Sequence, residues 1–152
     1  MSVEVPRTGT RGAKAPPKAL GRLMSHVLPF VHKRTGNKIK GRPLLHLHTV
    51  GAKSGQPRTA VVMSFPDGEN AWLVVASKGG TAENPSWLHN LAAHPDRVEI
   101  EVEGRRTPAT PSTLEGPERD AAWARITGEQ PQFAGYEQKT DRQIPVVRLT
   151  AR

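Results

Sequence analysis

Short apolar runs separated by tight turns constrain the fold of this chain more than any other feature of its sequence. The stretch Pro66-Asp67-Gly68-Glu69-Asn70 is typical of a β-hairpin, and Glu103-Gly104 marks a second one. Six strands are predicted, at residues 44–50, 59–65, 71–76, 97–102, 106–111 and 144–149. Mostly antiparallel strands with few helices between them favour a mainly β fold with peripheral helices (α+β), closed or partly closed into a barrel.

Helical signals accompany these strands at residues 85–93, 113–126 and 131–140. Asn84 is a suitable N-cap for the first of these helices, with Pro85 at the first helical position. In the last helix, Phe133 and Tyr136 are spaced to share one face. A chain of 152 residues is long enough to hold these elements in one domain with its own core.

The N-terminal part of the chain differs in composition from the rest. Residues 1–17 are rich in Pro, Gly, Thr and Arg without apolar periodicity, which predicts a disordered basic tail ahead of a single domain at residues 18–152. Within residues 18–34, apolar positions recur at helical spacing, as in an amphipathic helix. Packing of its apolar stripe on the sheet is the favoured interpretation, and seating on an anionic membrane surface is the alternative.

The formal net charge of +8 predicts an affinity for anions. Nucleic acid is not expected among them, because only 5% of the residues are aromatic and no stacking signature accompanies the basic groups. The absence of cysteine excludes disulfides and a thiolate nucleophile. No apolar run approaches the roughly 20 residues that span a bilayer. We therefore expect a cytoplasmic protein, with the inner membrane face as the surface on which residues 18–34 would seat.

Two histidines stand in the first predicted strand. Alternation places Leu45 and Leu47 on one face of that strand and His46 and His48 on the other. Such a pair can share a metal ion, but no third ligand stands nearby, so a polar strand face is the favoured interpretation and no metal site is predicted.

A glycine-containing turn with two cations joins the first two strands. Lys53 and Arg58 in this turn suit a phosphate or a carboxylate, although solvated turn charges are the simpler interpretation. The spacing is neither that of a P-loop nor that of a dinucleotide fingerprint.

A second candidate site follows residues 71–76, where the apolar run stops at Ser77-Lys78-Gly79-Gly80. Paired glycines let a backbone adopt positive φ and approach a ligand closely, or simply provide a flexible connection. Trp87, in the following helix, is suitably placed to pack beside a planar ring. No catalytic triad or metal motif accompanies these residues, which favours a reaction carried by a bound cofactor.

Three motifs occur in order along the chain. The first is Thr49-x-Gly51-x-Lys53-Ser54-Gly55-x-x-Arg58, and the second is Ala76-Ser77-Lys78-Gly79-Gly80 with Asn84-Pro85-x-Trp87-x-x-Asn90-Leu91. The third is Tyr136-x-x-Lys139-Thr140-Asp141-Arg142-x-Ile144-Pro145-Val146. In this order they resemble the deazaflavin-dependent nitroreductase family, over about residues 44–149. The resemblance implies a split β-barrel of the flavin-reductase, FMN-binding type. It also implies hydride transfer from reduced coenzyme F-420, an 8-hydroxy-5-deazaflavin, to a quinone, an enone or a nitroaromatic compound.

The resemblance also implies roles for individual residues. Lys53 and Arg58 would hold the phosphate and the glutamyl tail of the coenzyme, the backbone of residues 77–80 would line its ring, and Tyr136 would face the substrate. Tyr136 and Ser77 are the implied catalytic residues. The implied coenzyme-binding residues are Lys53, Ser54, Gly55, Arg58, Ala76, Ser77, Lys78, Gly79, Gly80, Trp87 and Asn90.

The chain departs from the family pattern at three positions. Ala52 stands where an arginine is common, which removes one contact to the tail, and Phe133 and Gln130 stand where a nitroimidazole-reducing member has tyrosines. The expected partner is a small-molecule electron acceptor, in a protein that could form a homodimer. FMN is a less favoured cofactor, and a non-catalytic deazaflavin-, flavin- or haem-binding barrel is the alternative function.

Overall fold

The fold is given by a computed structural model that describes residues 3–13, 38–39 and 42–152. The amphipathic helix predicted at residues 18–34 lies outside the described residues. The strands are β1 Lys38–Ile39, β2 Arg42–Val50, β3 Pro57–Met63, β4 Phe65–Pro66, β5 Ala71–Val75, β6 Glu99–Val102, β7 Arg105–Thr113 and β8 Val146–Ala151. The α-helices are α1 Ser86–Ala93, α2 Gly116–Glu129 and α3 Gln132–Lys139, and a 3-10 turn covers Lys78–Gly80.

The eight described strands form one curled antiparallel sheet. Its order is β1-β2-β6-β7-β8-β5-β4, and β3 also pairs with β2. All six predicted strands occur, because the turn signals that separate them are local. The predicted strand at residues 59–65 is divided at Ser64 into β3 and β4, and β1 adds two residues ahead of β2.

The start of helix α1 differs from the sequence prediction. Pro85 is the N-cap, in an extended conformation, and no side chain caps this end of the helix. The Asn84 side chain instead accepts a hydrogen bond from Arg142 (3.1 Å) and donates one to the Pro6 carbonyl (2.8 Å). The prediction of Asn84 as a cap is therefore wrong, because residues distant in sequence form hydrogen bonds with both the oxygen and the nitrogen of its side-chain amide.

Strand β2 is buried on both faces. Leu45 and Leu47 belong to the larger core cluster, together with residues of α1, β6 and β8. Their neighbour His46 is only 1% exposed, so the prediction of a polar strand face is wrong at this position. Alternation along one strand predicts which residues share a face, but it cannot show that the second face is also covered.

A smaller core cluster lies beneath helix α3 and includes Phe65, Ile126 and Phe133. The ring of Phe133 meets that of Phe65 edge-on, with centroids 6.0 Å apart, and that of Tyr136 at 5.6 Å. The predicted shared face of Phe133 and Tyr136 is thus confirmed. Packing of this face fixes α3 against the sheet.

Residues 3–13 lie along the domain rather than free of it, which corrects the predicted disorder over that part of residues 1–17. The Gly9 amide donates to the Ala82 carbonyl (2.7 Å), and the Ala13 amide donates to the Gly80 carbonyl (2.9 Å). An added Cβ at Gly12 would stand 2.2 Å from the Ala82 nitrogen, so only glycine permits this approach. The prediction rested on missing periodicity, which does not detect a segment held by hydrogen bonds.

Asp141 fastens the same segment from the C-terminal side. Its carboxylate accepts hydrogen bonds from the Thr10 hydroxyl, from the Thr10 amide (2.7 Å) and from the Arg11 amide (3.2 Å). The Arg11 guanidinium also donates to the Gln138 carbonyl (2.9 Å). The hydrogen bond from the Thr10 side chain, followed by that from the Arg11 amide, lowers the pKa of Asp141 from 3.8 to about 2.

These contacts predict an acid-sensitive attachment of residues 3–13. A carboxyl group whose pKa is lowered by folding stabilises the native state above its ordinary pKa, and this contribution is lost as the pH falls through the lowered value. We expect the amide resonances of Thr10 and Arg11 to titrate together in NMR spectra with a midpoint at about 2. Asp141→Asn should abolish the transition. A midpoint at 3.8 in the unmodified protein would contradict the assignment.

Candidate functional site

A strained segment follows strand β5, and we call residues 76–84 the glycine loop. Lys78 has a φ of 45°, an uncommon value for a residue with a side chain, and Gly79 and Gly80 follow at 65° and 82°. A side chain in this region costs roughly 1–2 kcal/mol of backbone strain. A Cβ added to Gly79 would find no atom within 4 Å, so the backbone faces open space there. Strain of this kind clusters at ligand sites, where the surrounding structure maintains it.

Arg142 maintains this loop from the protein interior. Its guanidinium donates hydrogen bonds to the carbonyls of Thr81 (2.9 Å), Ala76 (3.1 Å) and Ser77 (2.7 Å). A fourth bond reaches the Asn84 side chain at 3.1 Å. Arg142 is only 5% exposed, and this burial lowers the pKa of its guanidinium. Hydrogen bonds to a charged group are worth roughly 1.5–3 kcal/mol each, so the loop is firmly held at both ends.

Helix α3 lies directly against the glycine loop. A Cβ added to Gly80 would stand 2.7 Å from the Tyr136 carbonyl oxygen and 3.1 Å from the Lys139 Cβ. Glycine at position 80 is therefore required both by its positive φ and by this contact. The half-buried side chain of Tyr136 lies beneath the Lys139 ammonium, whose nitrogen is 5.7 Å from the ring centre. The structure thus brings Tyr136 beside the loop that contains Ser77.

The second element is the β2–β3 connection, residues 51–58, which we call the basic turn. Its backbone is closed by hydrogen bonds between the Gly51 amide and the Gln56 carbonyl (2.8 Å) and between the Gly55 amide and the Gly51 carbonyl (3.0 Å). Arg58 donates to the Ser54 hydroxyl at 3.3 Å. Lys53 and Arg58 are exposed, and neither forms an ion pair with a carboxylate of the described residues.

Helix α1 connects the two elements. The glycine loop leads into its first turn, and Asn90 near its end binds the basic turn. The buried amide of Asn90 accepts a hydrogen bond from the Ala52 amide (2.8 Å) and donates to the Thr49 hydroxyl (3.1 Å). Sequence reasoning placed Asn90 at the pocket, whereas the structure shows that it fixes the turn that presents Lys53.

The remaining predicted residues lie in the same region. Ala76 is fully buried, and Trp87 is half-buried against the larger core cluster. The Lys78 ammonium lies 3.5 Å from the Glu83 carboxylate, so it has a partner within its own loop. Lys53 and Arg58 have no such partner in the described part of the chain. These two side chains are therefore better placed than Lys78 to meet an added anion.

These features suit a planar ring with an anionic tail. The open, strained backbone at Gly79 admits a flat group, and the basic turn offers two cations to phosphate or carboxylate. A family model described as F420H(2)-dependent quinone reductase matches residues 21–151. The chain belongs to the F420H(2)-dependent quinone reductase family. It is accordingly an oxidoreductase of the coenzyme F-420 class, and the resemblance to deazaflavin-dependent enzymes is confirmed.

Similar proteins agree with this assignment. An F420H(2)-dependent quinone reductase of Mycobacterium tuberculosis is 41% identical over 135 residues, which cover 86% of this chain and 89% of the relative. The solved structure of an F420-H2 dependent reductase, FDR-A, is 38% identical and superposes with a TM-score of 0.63, covering 71% of this chain and 94% of that one. The predicted split β-barrel is thereby confirmed.

A second solved structure is a domain-swapped dimer. It is 32% identical to this chain, has a TM-score of 0.64, and covers 88% of this chain and 99% of its own length. The homodimer expected from the sequence stays a prediction for this protein. No helix in the described part of the chain is both long and apolar enough to cross a membrane.

Sequence reasoning missed the role of Arg142, although this residue stands within the third motif. Its hydrogen-bond partners precede it by 58 to 66 positions. No local signal marks such a contact, since an arginine before a strand is more often exposed. Its position in the third motif was the only indication in the sequence.

Proposed function

We propose that this chain transfers hydride from reduced coenzyme F-420 to a quinone, at a pocket between the glycine loop, the basic turn and helix α3. The conformation of the glycine loop supports this proposal most. The loop backbone is strained at Lys78, faces open space at Gly79, and is fixed by hydrogen bonds from the buried Arg142. A loop under strain that serves only as a connection would relax to an ordinary conformation.

In this proposal the glycine loop forms the wall against the deazaflavin ring. When bound, the reduced coenzyme supplies the hydride. The chain supplies position: Gly79 has no side chain to keep a ring from the backbone, and Gly80 allows helix α3 to approach within contact distance. The buried carbonyls of Ala76 and Ser77 point to Arg142, so the loop cannot turn them toward a ligand.

The basic turn forms the anion-binding wall. Lys53 and Arg58 would hold the phosphate and the glutamyl tail, with the Ser54 hydroxyl beside Arg58 as a further donor. Ala52 contributes only its backbone, which Asn90 already binds. Two exposed cations give less affinity than buried ones, because solvent and salt screen them.

Tyr136 and Ser77 are the proposed catalytic residues. The edge-on contact with Phe133 orients the Tyr136 ring, and the backbone of helix α3 contacts the glycine loop at Gly80. A phenol in this position can donate a hydrogen bond to the oxygen of a quinone as that oxygen gains negative charge. Ser77 is only 8% exposed and lies near the start of the same loop.

Binding of the oxidised coenzyme, followed by its fluorescence, tests the proposal. We expect micromolar binding. Lys53→Ala and Arg58→Ala should each weaken it about two- to fivefold, and the double variant roughly tenfold, as expected for screened ion pairs of up to about 1 kcal/mol each. Higher salt should weaken coenzyme binding most in the wild-type protein and least in the double variant.

Arg105→Ala provides the matched control, since it removes an exposed arginine that begins β7 and pairs with Val102, which in turn pairs with Leu45 near the start of β2. This variant should bind like the wild type. An absence of binding at micromolar coenzyme, or an equal loss in the control, would refute the assignment of the basic turn. Binding without turnover of a soluble quinone would favour the non-catalytic alternative, and tighter binding of FMN or haem would favour another cofactor.

A further inference from the structure

Arg142 carries a buried charge that the described residues do not neutralise. Its guanidinium donates to three carbonyl groups and one amide oxygen, all of them neutral. No carboxylate of the described residues forms an ion pair with it. The adjacent Asp141 turns its carboxylate away, toward Thr10 and Arg11. A guanidinium retains its proton at neutral pH, so a positive charge persists behind the glycine loop.

A buried cation without a counter-ion is costly, and proteins seldom keep one for stability alone. The same contacts could be made by a neutral donor, which would avoid the cost of burying a charge. Arg142 binds the glycine loop at carbonyls on either side of Gly79, and a Cβ added to Gly79 would face open space. A negatively charged ring bound in that space would be attracted through the poorly screened protein interior.

We propose that Arg142 is a positioning residue with two effects on the coenzyme: it fixes the glycine loop against which the ring binds, and its charge favours the ionised form of that ring. The second effect rests on the proposed function. The 8-hydroxyl of the deazaflavin is an acid whose anion is delocalised over the ring system. Binding beside an uncompensated cation lowers the pH at which this hydroxyl ionises.

Two variants separate the effects. Arg142→Lys keeps a positive charge but loses the planar fork that reaches Ala76, Ser77 and Thr81, whereas Arg142→Gln loses both. Arg148→Gln is the matched control, because Arg148 is a partly buried arginine of β8 that pairs with Asp67 and Glu118 and has no hydrogen bond to the loop. Three quantities are compared: hydrogen exchange of the loop amides without coenzyme, the Kd of the oxidised coenzyme, and the midpoint of 8-hydroxyl ionisation in the complex, followed by absorbance.

Both Arg142 variants should exchange the amides of residues 77–84 at least about tenfold faster and bind coenzyme about tenfold more weakly, the loss of one or two charge-assisted hydrogen bonds. The midpoint should rise by about one pH unit in Arg142→Gln and stay near the wild-type value in Arg142→Lys. Arg148→Gln should lower the Tm and leave all three quantities unchanged.

Unchanged exchange and Kd in the Arg142 variants would overturn the positioning role, and so would equal changes in Arg148→Gln. An unchanged midpoint in Arg142→Gln would overturn the role of the charge. If Arg142→Gln does not fold, exchange and Kd in Arg142→Lys decide the positioning role. If the wild-type protein does not bind the coenzyme, the proposed function and the charge effect both fail. The exchange measurements still show whether Arg142 fixes the conformation of the glycine loop.

Discussion

Replacing Gly80 by alanine is expected to reduce both stability and coenzyme binding more than any other single methyl group added to the glycine loop. The new Cβ would stand 2.7 Å from the Tyr136 carbonyl oxygen, at a φ of 82° that alanine adopts only under strain. Strain of about 1–2 kcal/mol adds to an overpacking cost of about 1–3 kcal/mol. In a protein of this size each 1 kcal/mol lowers the Tm by about 2–4 °C, so calorimetry should show a decrease of roughly 5–15 °C.

Coenzyme binding should fall with it. The loop can accommodate the methyl group only by moving away from helix α3, which would break the contact between Gly80 and the Tyr136 backbone. We expect the Kd measured by fluorescence to rise about tenfold or more, since misplaced contacts on both walls of the pocket are lost together. Turnover of a quinone at saturating coenzyme should fall as well, because the helix that bears Tyr136 would no longer contact the loop.

Gly79→Ala is the matched control for this prediction. Gly79 also has a positive φ, of 65°, but an added Cβ there meets no atom within 4 Å. It should therefore cost only the strain of about 1–2 kcal/mol and lower the Tm by a few degrees. Any loss of coenzyme binding in this variant reports a ligand that approaches Gly79 itself. Equal destabilisation by the two substitutions would contradict the contact between Gly80 and helix α3.

The elements of this fold are predictable from sequence where the signals are local. The hairpin turn at residues 66–70 leads into β5, and Pro117 and Glu118 in the first turn of α2 mark its start within a few residues. Burial is less predictable, as His46 shows: the apolar alternation around it is correct, yet His46 on the opposite face is buried as well.

The same distinction applies to the candidate site. Glycines 79 and 80 are visible in the sequence because their conformational freedom is a property of the residue. The hydrogen bonds that fix the loop cannot be predicted from the sequence, because Arg142 and residues 3–13 reach the loop from opposite ends of the chain. A composition rich in Pro, Gly, Thr and Arg without apolar periodicity predicted a disordered segment there, yet Gly9 and Gly12 permit its close backbone contacts. The identity of the cofactor was predicted from the resemblance to a family, because neither composition nor residue spacing identified it.

Asn90 provides the second prediction with a large effect. Asn90→Ala leaves the Ala52 amide and the Thr49 hydroxyl without their partner, in a part of the structure where Asn90 is only 7% exposed. An unsatisfied buried group costs about 1–3 kcal/mol, so we expect the free energy of unfolding to fall by about 2–4 kcal/mol in urea titrations. The basic turn should loosen, with faster hydrogen exchange at Ala52. His89→Ala, an exposed position on the same helix, should change neither quantity.

The effect of Asn90 on coenzyme binding distinguishes a residue that holds the turn from one that touches the ligand. If Asn90 acts through the turn, Lys53 is already misplaced in Asn90→Ala, and adding Lys53→Ala should cost little further affinity. Residues that act through one another give such non-additive losses, with coupling energies of about 0.5–3 kcal/mol, whereas independent contacts add. A double variant whose loss in affinity equals the sum of the two single losses would show that Asn90 contacts the coenzyme directly, as the family resemblance implied. Strong coupling would place its role in the turn, where the hydrogen bond to Ala52 puts it.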